Sequence, residues 1–154
     1  MCCFSLNTNI QSSSGSDNIS QINAGHKILN VDINSGETTE TEILKTTKQT
    51  HLSLFKITTD TKQIEITPNH PLYIKDYGFI SLGKVLNNMG LCDFSELINK
   101  IEILTWNEHT NQLEFQKLEG IELIRGNFDT YTILELSKGD TYIANGFVTK
   151  VYSK

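Results

Sequence analysis

Short runs of β-branched and aromatic residues, cut every few positions by turn residues, make up most of this sequence and confine it to strands. Runs at 27–32, 52–59, 63–67, 72–74, 101–106, 113–118, 130–136 and 141–143 have strand length and composition. Between them stand Asn34-Ser35-Gly36, Asp76-Tyr77-Gly78, Lys138-Gly139-Asp140 and Asn145-Gly146, residue types suited to tight turns. One stretch has helical spacing instead: Leu82, Val85, Leu86 and Met89, with Leu91, Leu97 and Ile98 able to form a second short helix after Gly90. The pattern predicts an all-β fold with a short helical insert around residues 81–100. The Ser/Gly/Asp/Asn-rich stretch from 11 to 18 reads as a surface loop.

The two halves repeat. Ile28-Leu29 matches Ile103-Leu104 at an offset of 75, and the same offset pairs Asp32 with Asn107, Ser35 with Thr110 and Ile43 with Leu118. At an offset of 76, Phe55-Lys56-Ile57 matches Tyr131-Thr132-Ile133 and Asn69 matches Asn145. A period of half the chain is not a solenoid, which needs at least about three repeats. It predicts two copies of one β unit related by a pseudo-twofold, with the cleft between them a natural place for a site. Chance similarity among β-hairpins is the alternative.

The 154 residues fit a single domain spanning 1–154. A net charge of −5 and the lack of a basic cluster argue against nucleic acid or an anionic membrane as partner. No apolar run approaches the ~20 residues that cross a bilayer, and nothing after Met1 has the form of a signal peptide. A soluble monomer is expected, in a compartment the sequence does not specify. The 3 cysteines are Cys2, Cys3 and Cys92, and an odd count with two adjacent residues makes a poor disulfide framework. Cys-x-x-Cys and His-x-x-x-His spacings do not occur, so neither a metal nor a cofactor is expected. Cys92 falls in the helical insert and is expected to be structural.

Two segments carry reactive groups. One is Cys3-Phe4-Ser5-Leu6-Asn7-Thr8-Asn9-Ile10; the other is Thr67-Pro68-Asn69-His70-Pro71, just after a predicted strand. A cysteine with a distant histidine is a general candidate pair for nucleophilic catalysis. The surrounding residues are more specific. Cys3-Phe4 with Thr8 and Ile10 resembles the opening of Hint domains, the module shared by inteins, bacterial intein-like domains and the hedgehog autoprocessing domain. Thr67-Pro68-Asn69-His70-Pro71 resembles that family's Thr-x-x-His motif. Ile22-Asn23-Ala24-Gly25-His26-Lys27-Ile28-Leu29 resembles its Ile-x-x-Gly-Asp-x-Val-Leu segment. Thr141-Tyr142-Ile143-Ala144-Asn145-Gly146-Phe147-Val148 resembles its closing Tyr-x-Ala-Asn-Gly segment. The four segments occur in family order and cover nearly the whole chain. The resemblance implies a compact pseudo-twofold horseshoe of strands, with residues 3–151 as the core and Met1-Cys2 as an upstream remnant.

It also implies single-turnover autoprocessing by an N-to-S acyl shift. Cys3 Sγ attacks the carbonyl of residue 2, so the scissile bond is Cys2–Cys3, and the main chain becomes a thioester. A free thiol has a pKa of about 8.5, and a resonance-stabilised amide resists attack, so the fold must help both partners. By the resemblance, His70 protonates the departing amide nitrogen, a task suited to an imidazole near neutral pH. Thr67 offers its hydroxyl to the same amide or to the developing oxyanion. Pro68 and Pro71 restrict the backbone around His70, and Asn69 adds a supporting hydrogen bond. The implied partner is a polypeptide fused upstream in cis. A small thiol, an amine or water would serve as acyl acceptor.

The chain departs from the family pattern at its other end. Splicing members finish with His-Asn, whose Asn cyclises; here the aligned residues are Lys150 and Val151, and valine has no amide to cyclise. An Asp common in inteins near the Tyr131 segment aligns with Thr132. A His before the closing strand aligns with Asp140, which reads either as a supporting proton relay or as part of a solvated turn. Lys150-Val151 fits a domain that releases only its N-terminal neighbour, or substitutions that stop the reaction. A catalytically inactive Hint fold kept as a binding or spacer module is the alternative function.

Overall fold

Where the sequence alternates, the chain pairs. The computed structural model describes residues 3–151; Met1, Cys2 and residues 152–154 lie outside the described residues, and with them the Cys2 side of the Cys2–Cys3 bond. In chain order the strands are β1 (Phe4–Ser5), β2 (Asn9–Ser12), β3 (Gly15–Asn18), β4 (Lys27–Val31), β5 (Thr38–Thr58), β6 (Gln63–Ile66), β7 (Leu72–Ile74) and β8 (Gly78–Ile80). Helix α1 (Leu82–Asn88) and a 3-10 turn at Phe94–Leu97 precede β9 (Glu102–Asn107), β10 (Gln112–Lys117), β11 (Gly120–Leu136), β12 (Thr141–Ala144) and β13 (Phe147–Lys150). The architecture is all-β with one short helix, and the helical insert falls where the apolar spacing placed it. Ser81 caps α1 by accepting from Lys84 N–H, and Asp93 with Glu96 forms a capping box on the 3-10 turn.

Two elements differ from the sequence expectation. Strands β5 and β11 are far longer than the apolar runs at their ends, and they pair antiparallel from Gly120↔Thr58 to Leu136↔Ile43. The added length of β5 is rich in Thr, Lys and Glu and shows no one-sided apolar alternation. Its stability comes from the facing strand, which local pattern does not report. Residues 11–18 are not an open loop but most of a hairpin, β2 with β3, in the register Asn9↔Asn18 to Ser12↔Gly15. Ser12 Oγ donates to Gly15 O at 3.2 Å and Gln11 Nε2 to the same oxygen at 2.8 Å, so the polar side chains close the turn.

The internal repeat is written in hydrogen bonds. Asp32 Oδ1 accepts from the N–H groups of Asn34 (2.8 Å) and Ser35 (3.2 Å). Seventy-five residues on, Asn107 Oδ1 accepts from those of His109 (2.9 Å) and Thr110 (3.3 Å). Likewise Ile43 N–H donates to His26 O at 2.8 Å, and Leu118 N–H to Ile101 O at 3.0 Å. The two copies contribute their long strands to one ring of pairing, β11–β1–β6–β5 and back to β11. Phe4, Tyr142, Phe147 and a set of Ile and Leu side chains fill the main core and are fully buried.

Asn145 and Gly146 link β12 to β13 with φ of 49° and 82°, the paired left-handed conformation of a two-residue hairpin turn. A Cβ at Gly146 would sit 2.7 Å from Lys62 Cδ in a backbone region that disfavours L side chains. Gly146→Ala should therefore lower stability by about 1–2 kcal/mol, read as a shift in urea midpoint at constant slope.

Candidate active site

Strand β1 is two residues long and lies between β6 and β11, with Phe4 opposite both Ile66 and Tyr131. The buried Phe4 ring anchors the segment, and Cys3 immediately precedes it. Cys3 N–H donates to Thr67 Oγ1 at 2.8 Å, and Thr67 N–H donates to Cys3 O at 3.0 Å. That Cys3 nitrogen belongs to the bond joining residues 2 and 3. The hydroxyl of Thr67 therefore holds this amide as an acceptor. The sequence reading allowed a contact with either the amide or an oxyanion.

Thr67 opens a tight turn in which His70 N–H donates to Thr67 O at 3.1 Å, with Pro68 at the position whose fixed φ favours such a turn. The turn carries His70 back into the interior, fully buried, with its ring centroid 4.1 Å from that of Phe4. Thr149 on β13 orients the ring. Its hydroxyl donates to Pro71 O at 2.8 Å and lies 2.8 Å from His70 Nε2. The one hydroxyl proton is already committed to Pro71, so Nε2 must be the donor of the second contact. Neutral His70 is thus the Nε2–H tautomer. Sequence reading did not single out Thr149, which is 79 positions from His70.

The Cys3 thiol is completely buried, and burial pushes its pKa above the ordinary thiol value; a hydrogen bond with the Thr130 side chain pulls in the other direction. Cys92 is exposed rather than packed in the helical insert, so its expected structural role is not supported. It lies in the short connection between α1 and the 3-10 turn, where Leu91 and Phe94 make the contacts with the core.

The supporting residues named from sequence lie away from Cys3. Asn69 is exposed and lines a groove of about 510 Å³ with Pro71, Ser81, Lys84, Lys150 and Val151. Asp140 is exposed, its carboxylate is 3.7 Å from Lys150 Nζ, and its carbonyl accepts from Val151 N–H at 2.8 Å. Thr141↔Lys150 pairing explains this placement, since it sets Asp140 across from the end of β13. Asn145 is structural: its side chain accepts from Asn9 N–H at 2.7 Å and donates to Gln63 O at 3.1 Å, fastening the N-terminal segment to β12. Among the described residues, no helix is long and apolar enough to cross a membrane.

Neither a protein-family model nor a curated protein matches the sequence. Solved structures do match. A bacterial intein-like domain from Clostridium thermocellum superposes with a TM-score of 0.76 over 97% of this chain and 99% of that one, at 21% identity. A DnaB intein from Synechocystis sp. PCC 6803 gives 0.78 over 99% and 100%, at 13% identity. The TvoVMA intein gives 0.69 over 96% of each chain, at 18% identity. The fold is the Hint fold of inteins and intein-like domains.

Proposed function

We propose that this Hint fold is a self-processing domain that converts the peptide bond on the N-terminal side of Cys3 into a thioester. The observation that carries the reading is the grip on the bond to be broken: Cys3 N–H on Thr67 Oγ1 at 2.8 Å, from the same turn that buries His70. Cys3 Sγ attacks the carbonyl carbon of residue 2, forming the C–S bond. The S–H proton is lost as the C–S bond forms, the C–N bond breaks, and the nitrogen leaves as an amine with a proton supplied from Nδ1 of the His70 imidazolium, so that one proton leaves the site and one is delivered to nitrogen. Thr67 holds the nitrogen in place, and Thr149 accepts from His70 Nε2–H, so the proton that His70 gives up as imidazolium leaves from Nδ1. The similarity to inteins and an intein-like domain supports a host polypeptide fused upstream in cis.

The reaction ends at the N-terminal junction. Lys150 and Val151 offer no side-chain amide to cyclise, and Asp140 is engaged with Lys150. The thioester is then resolved by a thiol, an amine or water, and each chain acts once.

The test is a reporter protein fused upstream of Cys3 and treated with dithiothreitol or hydroxylamine. Time-dependent release of the reporter is expected, while a second reporter fused after Lys154 stays attached. An intact upstream junction under both reagents would identify the inactive binding or spacer module instead.

A further inference from the structure

Thr67 grips one end of the peptide bond to be broken. Cys3 N–H donates to Thr67 Oγ1, on the β6 side of β1. A trans peptide is planar, with its N–H and C=O on opposite sides. The carbonyl oxygen of that same bond is therefore directed away from β6 and toward β11, the other neighbour of β1. When sulfur adds to the carbonyl carbon, this oxygen takes the negative charge. Thr67 and His70 both act on the nitrogen and leave the oxygen unattended.

Backbone alternation identifies what stands on that side. In an antiparallel sheet each residue turns its N–H and C=O to one neighbour, and the next residue turns them to the other. Both backbone groups of Cys3 are engaged by Thr67, so Cys3 faces β6. Phe4 then faces β11, and its register partner Tyr131 faces β1. Thr132 faces β5, where it lies opposite Thr47. Ile133 faces the β1 side again, and the irregularity in β11 begins after it. Among the described residues, β1 pairs with β11 at Phe4↔Tyr131 and Ser5↔Thr130 alone, so this edge of β11 is open beyond Tyr131. Carried two residues upstream of Phe4, the register brings Ile133 level with the carbonyl that is attacked. Ile133 is fully buried, and a buried N–H outside the ladder requires an acceptor.

We propose that the backbone N–H of Ile133 is the oxyanion donor of the acyl shift; this rests on the reaction proposed above. As Sγ bonds to the carbonyl carbon, the C=O π pair moves onto oxygen, and the Ile133 N–H hydrogen-bonds the oxyanion. When that pair returns to re-form C=O, the C–N bond breaks and the nitrogen leaves with the proton from His70. Ile133 itself neither gains nor loses a proton. Thr67 from β6 and Ile133 from β11 thus hold the two ends of one peptide plane. The donor is fixed by the strand and shielded from water, the conditions under which such a hydrogen bond contributes most to rate.

The test removes single N–H groups from the full chain carrying an upstream reporter. Incorporating the α-hydroxy acid of isoleucine at 133 replaces the Ile133 amide by an ester; a second chain carries the corresponding ester at Thr132. Release is induced by dithiothreitol alone, because hydroxylamine cleaves esters. The ester at 133 should slow release about 10²–10³-fold, the usual effect of losing one oxyanion donor, with a small change in urea midpoint. The ester at 132 removes an N–H that faces β5, so it should lower the urea midpoint further and leave the release rate near that of the unsubstituted chain. Release from the ester at 133 at the unsubstituted rate, or equal slowing by both esters, overturns the role. So does failure of the ester at 133 to fold, since its N–H would then be a structural donor. No release from the unsubstituted chain overturns the acyl shift itself, and the oxyanion role with it.

Discussion

With alanine in place of Cys3, release of an upstream reporter should fall to background under both dithiothreitol and hydroxylamine, with circular dichroism unchanged. The loss is complete because the neighbouring hydroxyls of Ser5 and Thr67 are committed. Ser5 Oγ donates to Glu65 at 2.8 Å, and Thr67 Oγ1 accepts from the very amide to be cut. Neither can replace sulfur without giving up its partner. The fold should survive, since only one buried sulfur atom is removed and β1 is anchored by Phe4. Serine at position 3 gives a sharper result. A hydroxyl ionises far less readily than a thiol, so the shift slows, and the product is an oxygen ester that thiols attack poorly. Cys3→Ser should lose the dithiothreitol response and keep a slow hydroxylamine response. Release from Cys3→Ala at the unsubstituted rate would remove Cys3 from the mechanism.

The second large effect is expected at His70. Replacing it by alanine should slow release by about 10²–10⁴-fold, the usual contribution of a positioned acid. Thr149→Val tests the same role without removing the imidazole. It takes away the acceptor for Nε2–H, frees Pro71 O from its donor, and lets the ring adopt the other tautomer. A loss smaller than that of His70→Ala is expected, restored by Thr149→Ser. The rate should rise with pH as Cys3 ionises, with the rise displaced upward by the burial that raises the thiol pKa. Because burial raises the Cys3 pKa, thiol ionisation opposes folding: the neutral thiol's advantage is full below the ordinary thiol pKa and is lost as pH rises through the raised one. Kinetics above that range are therefore best paired with a folding control.

Much of the fold was legible because the relevant signals are local. Asn145-Gly146 is a two-residue turn wherever it occurs between alternating segments, and it forms one here. Leu82, Val85 and Leu86 mark one helical face, and all are buried. The duplication could be read because the same Asx turn recurs 75 residues on, at Asp32 and Asn107. The long ribbon of β5 and β11 was legible only at its apolar ends, since polar residues on both faces leave no alternation to read. The β2–β3 hairpin was misread for a similar reason. Ser, Gly and Asn favour turns, and the β2–β3 pairing, with β2 set against β12 at Ala144↔Ile10, makes strands of that segment.

Cys3, Thr67 and His70, with the two prolines around His70, were singled out by residue type, short spacing and the resemblance to Hint domains. Tertiary structure decided which atoms meet: Thr67 Oγ1 accepts from the Cys3 amide nitrogen, and the Thr149 hydroxyl lies against His70 Nε2. Asn69 is exposed on the groove beside Lys150, the β12–β13 register sets Asp140 beside Lys150, and the β13–β7 pairing brings Thr149 to the His70 turn. The reason is that periodicity tells a residue which face it occupies, whereas its partner across the sheet depends on strand order and register. Those are settled only when segments some 79 positions apart pair.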